Sequence, residues 1–120
     1  MSTWTVIYYH NRKGERLVFQ EIADFGLSNQ AKITIVIGML ADYGFQMPGR
    51  YVKHIQNKLW ELRIDRFRVL YVAYTNHQFV LLRAFLKKTT KTPRSEVNIA
   101  LKRLEDYNER TQENNDENQK

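Results

Sequence analysis

Residues 50–94 hold eleven lysines and arginines against two acids, a local balance of +9 in a chain whose net charge is +6. Several of these cations lie in segments with strand-like alternation. Arg63 sits in LWELRI, Arg66 and Arg68 in RFRVLYVAY, and Arg83 in FVLLRAFL. Lys87, Lys88 and Lys91 follow in KKTTK, and Arg94 comes just after. Arginine presents a planar fork that matches phosphate oxygens, and lysine a mobile point charge. A row of such groups on one sheet face suits a phosphate backbone. It also suits RNA cleavage by the RNA's own 2′-OH, which needs no metal because the nucleophile belongs to the substrate. The protein then has to align the phosphate, neutralise the charge that develops on it, and assist two proton transfers. The plainer reading is a solvated basic face that docks RNA or an acidic protein without cutting anything.

Other chemistries find little support. With no cysteine, thiol nucleophiles, Cys-ligated zinc, iron–sulfur clusters and disulfide scaffolds are excluded. His10, His54 and His77 fall in three segments, none in a metal-ligand spacing. The acids of the ordered part form no evident pair for glycosidase or two-metal work. The five glycines are scattered and make no phosphate loop. Neither metal nor cofactor is expected.

The elements that must position the basic row can be read from periodicity. Residues 3–9, TWTVIYY, are β-branched and aromatic and read as a strand. Residues 16–26 show a helical face of Leu17, Val18, Ile22 and Phe25 that ends at Gly26. Residues 29–43 repeat Ile33, Val36, Ile37, Leu40 and Tyr43 at helical spacing, with Ser28 as a candidate N-cap. The run ITIVI is locally strand-like, but propensity is a weak prior against the longer pattern. Residues 45–57 contain Pro48 and Gly49 and read as a connector. Three strands then follow between 58 and 87, joined by short turns. Thr92 as N-cap and Pro93 at the first helical position open a last helix, with an apolar face of Val97, Ala100, Leu101, Leu104 and Tyr107.

The expected order is β-α-α-β-β-β-α, an α+β fold of one domain over residues 1–110. In this scheme one sheet face carries the basic row and the other packs the helices. Residues 111–120 are polar and acidic, and are expected to form a disordered tail. Residues 105–120 carry a balance of −4, which leaves the rest strongly basic. No secretory leader is expected from MSTWTVIYYHNRKGER, and no apolar run approaches the ~18 residues of a membrane span. No association with a membrane is therefore expected.

The segments RFRVLYVAY, FLKKTTKTP and EVNIALKRLEDY resemble the RelE/ParE toxin superfamily, and within it the HigB-like branch that includes phage-derived members. The specific likeness covers residues 58–107, and the preceding strand and helical hairpin agree with it. The resemblance implies a cytoplasmic toxin of a type II toxin–antitoxin pair. It implies a ribosome-dependent mRNA endonuclease (an mRNA interferase) that uses the 2′-OH chemistry above and inhibits translation. It implies an antitoxin partner with a helix-turn-helix domain, through which the complex binds operator DNA. Arg68 matches the arginine of the family's Tyr-Arg strand motif, with Phe67 in place of the usual tyrosine. Arg63 matches a basic position on the preceding strand, and Lys87, Lys88 and Lys91 match the basic segment after the last one. On this basis Arg68 and the three lysines are the expected catalytic residues, with Arg68 at the scissile phosphate. Arg63, Arg66, Arg83, Arg94 and Tyr71 are the expected RNA contacts. Tyr71 shares a face with Val69, where a tyrosine is more often core. The chain departs from the pattern at position 83, where HigB-like relatives often have histidine, and it lacks the acidic–aromatic–His ending of some HigB toxins. Two other readings fit the same residues: a ParE-like inhibitor of DNA gyrase, and a non-catalytic RNA-binding protein.

Overall fold

A computed structural model describes residues 4–118, and the side chains of residues 4–114. Strand β1 (Thr5–Tyr8) leads into helices α1 (Leu17–Ala23) and α2 (Leu27–Tyr43). Two 3₁₀ turns, Gly44–Gln46 and Gly49–Tyr51, precede four strands: β2 (Val52–Gln56), β3 (Leu59–Ile64), β4 (Phe67–Tyr74) and β5 (Gln78–Leu86). Helix α3 (Arg94–Asn118) ends the described chain. The sheet order is β1-β5-β4-β3-β2, with β1 parallel to β5 and all other pairs antiparallel. This is the expected α+β order of strand, helical hairpin, meander and C-terminal helix, with one strand more. Among the described residues no helix is long and apolar enough to cross a membrane.

The extra strand, β2, lies in the stretch read as a connector. It occupies the sheet edge, its inward face is only half-buried, and its pairing with β3 slips between His54 and Gln56. An edge strand with a register shift has no period-2 pattern to detect. The tight turns use residues that tolerate left-handed backbone. Asn57 and Asp65 have φ of 48° and 51°, and Asn76 and His77 have 63° and 55°.

The helical hairpin forms because each helix has one buried stripe. Val18 and Ile22 are buried on α1, and Ile33, Val36, Ile37, Leu40 and Ala41 on α2. Gly26, at φ 94°, makes the bend between them and is itself the N-cap of α2, in place of Ser28. The β-branched run ITIVI is therefore helical, its burial overriding propensity. Helix α3 lies across β4 and β5, with Val97 and Ala100 buried and Tyr107 edge-to-face with Tyr74 at 5.0 Å. The Pro93 carbonyl accepts from the Glu96 and Val97 amides, so Pro93, not Thr92, takes the cap position. The tail expected to be disordered from residue 111 is helical as far as Asn118; residues 119–120 lie outside the described residues. The helix is tethered by charge on both sides of Tyr107: Arg12 bonds Asp106 at 3.2 Å before it and Glu113 at 3.1 Å beyond it.

The edge of β5 beyond β1 is closed by side chains. The register with β1 ends at Leu81, leaving the Leu82 carbonyl and the Ala84 amide open. Arg103 donates to the Leu82 carbonyl at 2.9 Å, and Glu21 accepts from the Ala84 amide at 3.0 Å. The Glu21 carboxylate also accepts from Arg83 and from Arg103, both at 2.8 Å. Capping of this kind blunts an edge that could otherwise pair with another chain. Glu21→Ala removes one partner from each of two half-buried guanidiniums, leaving Arg83 with Glu96 and Arg103 with the Leu82 carbonyl, and leaves the Ala84 amide unbonded; it is expected to cost about 3 kcal/mol. A thermal melt checks this; a loss below about 1 kcal/mol would mean that water replaces the carboxylate.

Candidate functional site

The register of β2, β3 and β4 places the cations. Arg63 stands directly opposite Arg68, Glu61 opposite Leu70, and Lys53 opposite Glu61. Alternation therefore sends Lys53, Glu61, Arg63 and Arg68 to one face. Lys87 is the first residue past β5, and its amide donates to the Arg66 carbonyl at 2.8 Å. That bond ties the loop after β5 to the β3–β4 turn and brings the Lys87 ammonium into the field of Lys53, Arg63 and Arg68. A cleft of about 470 Å³ opens there, lined by Arg50, Tyr51, Arg63, Ile64, Asp65 and Arg68. The Arg50 guanidinium covers the Tyr51 ring at 4.8 Å and donates to its hydroxyl at 3.1 Å.

Arg68 forms the inner wall of this cleft and is only 8% exposed. Its Nη1 donates to the Asp65 and Phe67 carbonyls at 2.7 and 2.8 Å, which locks the side chain against the turn. Its Nε lies 3.7 Å from Oε2 of Glu61, and neither atom makes a hydrogen bond. Burial lowers the Arg68 pKa, Glu61 opposes the shift, and Arg63 adds to it. Glu61 is fully buried, and its Oε1 accepts from the Thr92 hydroxyl at 2.5 Å. Lys87 is half-buried. Burial pushes its pKa below that of an ordinary lysine; Glu61 resists this, and Arg68, Lys53 and Arg63 reinforce it.

Three expected site residues thus come together: Arg63, Arg68 and Lys87. Arg66 is exposed in the turn beside them rather than on the strand with Arg68. The remainder are dispersed, and the single continuous row does not form. Arg83 is taken up by ion pairs to Glu96 at 2.6 Å and Glu21 at 2.8 Å, between α3 and α1. Those acids are i+13 and i−62 in sequence, out of reach of a strand-by-strand reading. Lys88 is exposed and lines a separate cleft with Glu21, Arg83 and Glu96. Lys91 is exposed, and its carbonyl accepts from the Thr89 hydroxyl. Arg94 bonds Gln56 of β2 at 2.6 Å. Tyr71 is buried on the opposite sheet face, stacked edge-on against Phe79 at 5.6 Å, and burial raises its pKa. It is a core residue, unable to meet a base or share a proton at the Arg68 cleft.

The helices also depart from the expected division of faces. Helix α3 covers the same face as Arg68 and Glu61, which is why Thr92, at its start, reaches Glu61. Helix α2 packs the other face, together with Trp4 and Phe67. Sequence reasoning missed Glu61, Thr92, Lys53, Arg50 and Tyr51 as site residues. For Glu61 a signal existed, an acid on the inward side of an apolar strand. For Arg50, Tyr51 and Lys53 there was none, since β2 itself was not legible. Among the described residues no group of three His, Asp or Glu side chains is placed to hold a metal ion.

The arrangement can bind a phosphodiester and stabilise added negative charge on it. Arg63 and Lys87 supply mobile donors at the rim, and Arg68 a fixed positive field behind them. A family model described as phage-derived protein Gp49-like (DUF891) matches residues 20–105, a span that contains α2, β2 to β5 and the first half of α3. No curated protein matches the chain.

Proposed function

The chain belongs to the phage-derived Gp49-like family, a RelE-type, toxin-like family, and from that premise we propose that it is the HigB-like toxin of a type II toxin–antitoxin pair. In this reading it is a ribosome-dependent mRNA endonuclease that acts in the cytoplasm. The 2′-OH of one nucleotide attacks the adjacent phosphorus, and the bond from phosphorus to the 5′-oxygen breaks. The products are a 2′,3′-cyclic phosphate and a free 5′-hydroxyl. The observation that carries the reading is that Arg63 and Arg68 line one open cleft, with the Lys87 ammonium in their field and a single buried carboxylate among the three.

Each cation has a distinct part. Arg63, half-exposed, forks the two non-bridging oxygens of the phosphate. Lys87 neutralises the charge that builds as phosphorus becomes five-coordinate. Arg68, held by two carbonyls, keeps the field in place without reorganising. Exposed Arg66, in the β3–β4 turn, adds positive charge beside the cleft, and exposed Arg94 adds it at the start of α3. A helix-turn-helix antitoxin is the partner that keeps the toxin silent, and the complex reaches operator DNA through it. The test is a synthetic mRNA with a single 2′-deoxy nucleotide at the mapped cut. Cleavage should vanish at that position alone; cutting that persists there requires a water nucleophile and contradicts the 2′-OH route.

A further inference from the structure

We propose that Glu61 is the positioning residue of the cleft: its buried carboxylate holds the surrounding cations together and sets how much positive charge stands over a bound phosphate. This rests on the cleft being the phosphate site. Glu61 is wholly inaccessible, so it acts through its neighbours and never touches RNA.

A carboxylate in this place is unexpected on packing grounds. Its cross-strand partner is the buried Leu70, and Leu59 and Leu62 on its own strand are also buried. A leucine would fill the volume without the desolvation penalty that a buried charge carries. One carboxylate oxygen is held by the Thr92 hydroxyl at 2.5 Å. The other makes no hydrogen bond and faces the equally unbonded Nε of Arg68 at 3.7 Å. Buried polar atoms are rarely left so, and here both unpaired atoms belong to the same ion pair, directly behind the cleft. Lys53, Arg63, Arg68 and Lys87 surround this one acid. The other nearby carboxylate, Asp65, is exposed and turned to Lys32 at 3.5 Å. Glu61 therefore holds a cluster of cations together that would otherwise repel, while leaving their outer faces free for a substrate anion. Its bond to Thr92 also fixes the start of α3 to the strand that carries Arg63.

Glu61→Gln keeps the shape and an acceptor for Thr92, and removes the charge. In the full chain, the Lys87 ammonium followed by NMR titration should lose its proton about one pH unit lower than in the wild type. The alkaline limb of the cleavage rate should shift by the same amount, with a cooperative melt retained. A Lys87 midpoint unchanged in folded Glu61→Gln overturns the proposal. If Glu61→Gln does not fold, Thr92→Val and Thr92→Ser decide. Cleavage should fall roughly tenfold with valine and return with serine, which keeps the hydroxyl; equal rates for the two overturn the proposal. If no protein cleaves RNA yet the Lys87 midpoint still moves, the role of Glu61 stands and the nuclease reading falls.

Discussion

Arg68→Ala is expected to destabilise the fold by about 3–5 kcal/mol, because it leaves the fully buried Glu61 carboxylate without its counter-ion. It also frees the Asp65 and Phe67 carbonyls that Nη1 now holds. In a chain of 120 residues that loss corresponds to a drop in Tm of roughly 10–20 °C. Removing both charges is a different matter. Arg68→Met combined with Glu61→Leu replaces the pair with apolar side chains of similar size, and is expected to recover most of the stability. Thermal melts of the two single variants and the double variant measure this. A fall of less than about 3 °C for Arg68→Ala would show that the Glu61 carboxylate does not depend on Arg68 as its counter-ion. Arg68 is thus both the wall of the cleft and a structural element, so lost cleavage in Arg68→Ala does not isolate a catalytic role.

Lys87→Ala does isolate one. The side chain is half-exposed, and only its backbone amide bonds the β3–β4 turn, so stability should change by no more than about 0.5 kcal/mol. Cleavage should fall about 10²- to 10³-fold, the usual effect of removing one group that stabilises transition-state charge. Lys88→Ala, on the separate cleft beside Glu96, should leave the single-turnover rate within about twofold. Equal losses in the two variants would mean that the loop supplies only diffuse positive charge. Lys87 must be protonated to neutralise the phosphate, so the rate should fall as pH rises through its pKa. Because burial and the neighbouring cations lower that pKa, the alkaline limb should lie below the range of an ordinary lysine. Lys87→Arg, always charged, should lose the limb.

The fold was legible wherever burial imposes a period. The alternation of LWELRI and FRVLYVAY marked β3 and β4, and the spacing of Ile33, Val36, Ile37 and Leu40 marked α2 against the local pull of ITIVI. Strand β2 escaped because an edge strand buries too little to alternate. The helical continuation past Tyr107 escaped because its tether, Arg12 to Glu113, spans a sequence separation of 101 residues. Within the candidate site, charge counting marked a basic segment but could not tell cations committed to acids on other elements from those beside the cleft. Arg83 and Arg68 look alike on their strands, yet Arg83 is neutralised by two acids from other elements, while Arg68 faces one acid and an open cleft. Which arginine borders the cleft is a tertiary fact, set by where Glu21, Glu61 and Glu96 land.

The most direct test of the cleft as an RNA-cleaving site is primer-extension mapping of mRNA in a translation reaction given this protein. Codon-phased cuts that require ribosomes, and that disappear with folded Lys87→Ala, are the expected result. Intact mRNA, with DNA supercoiling by gyrase blocked instead, would contradict it.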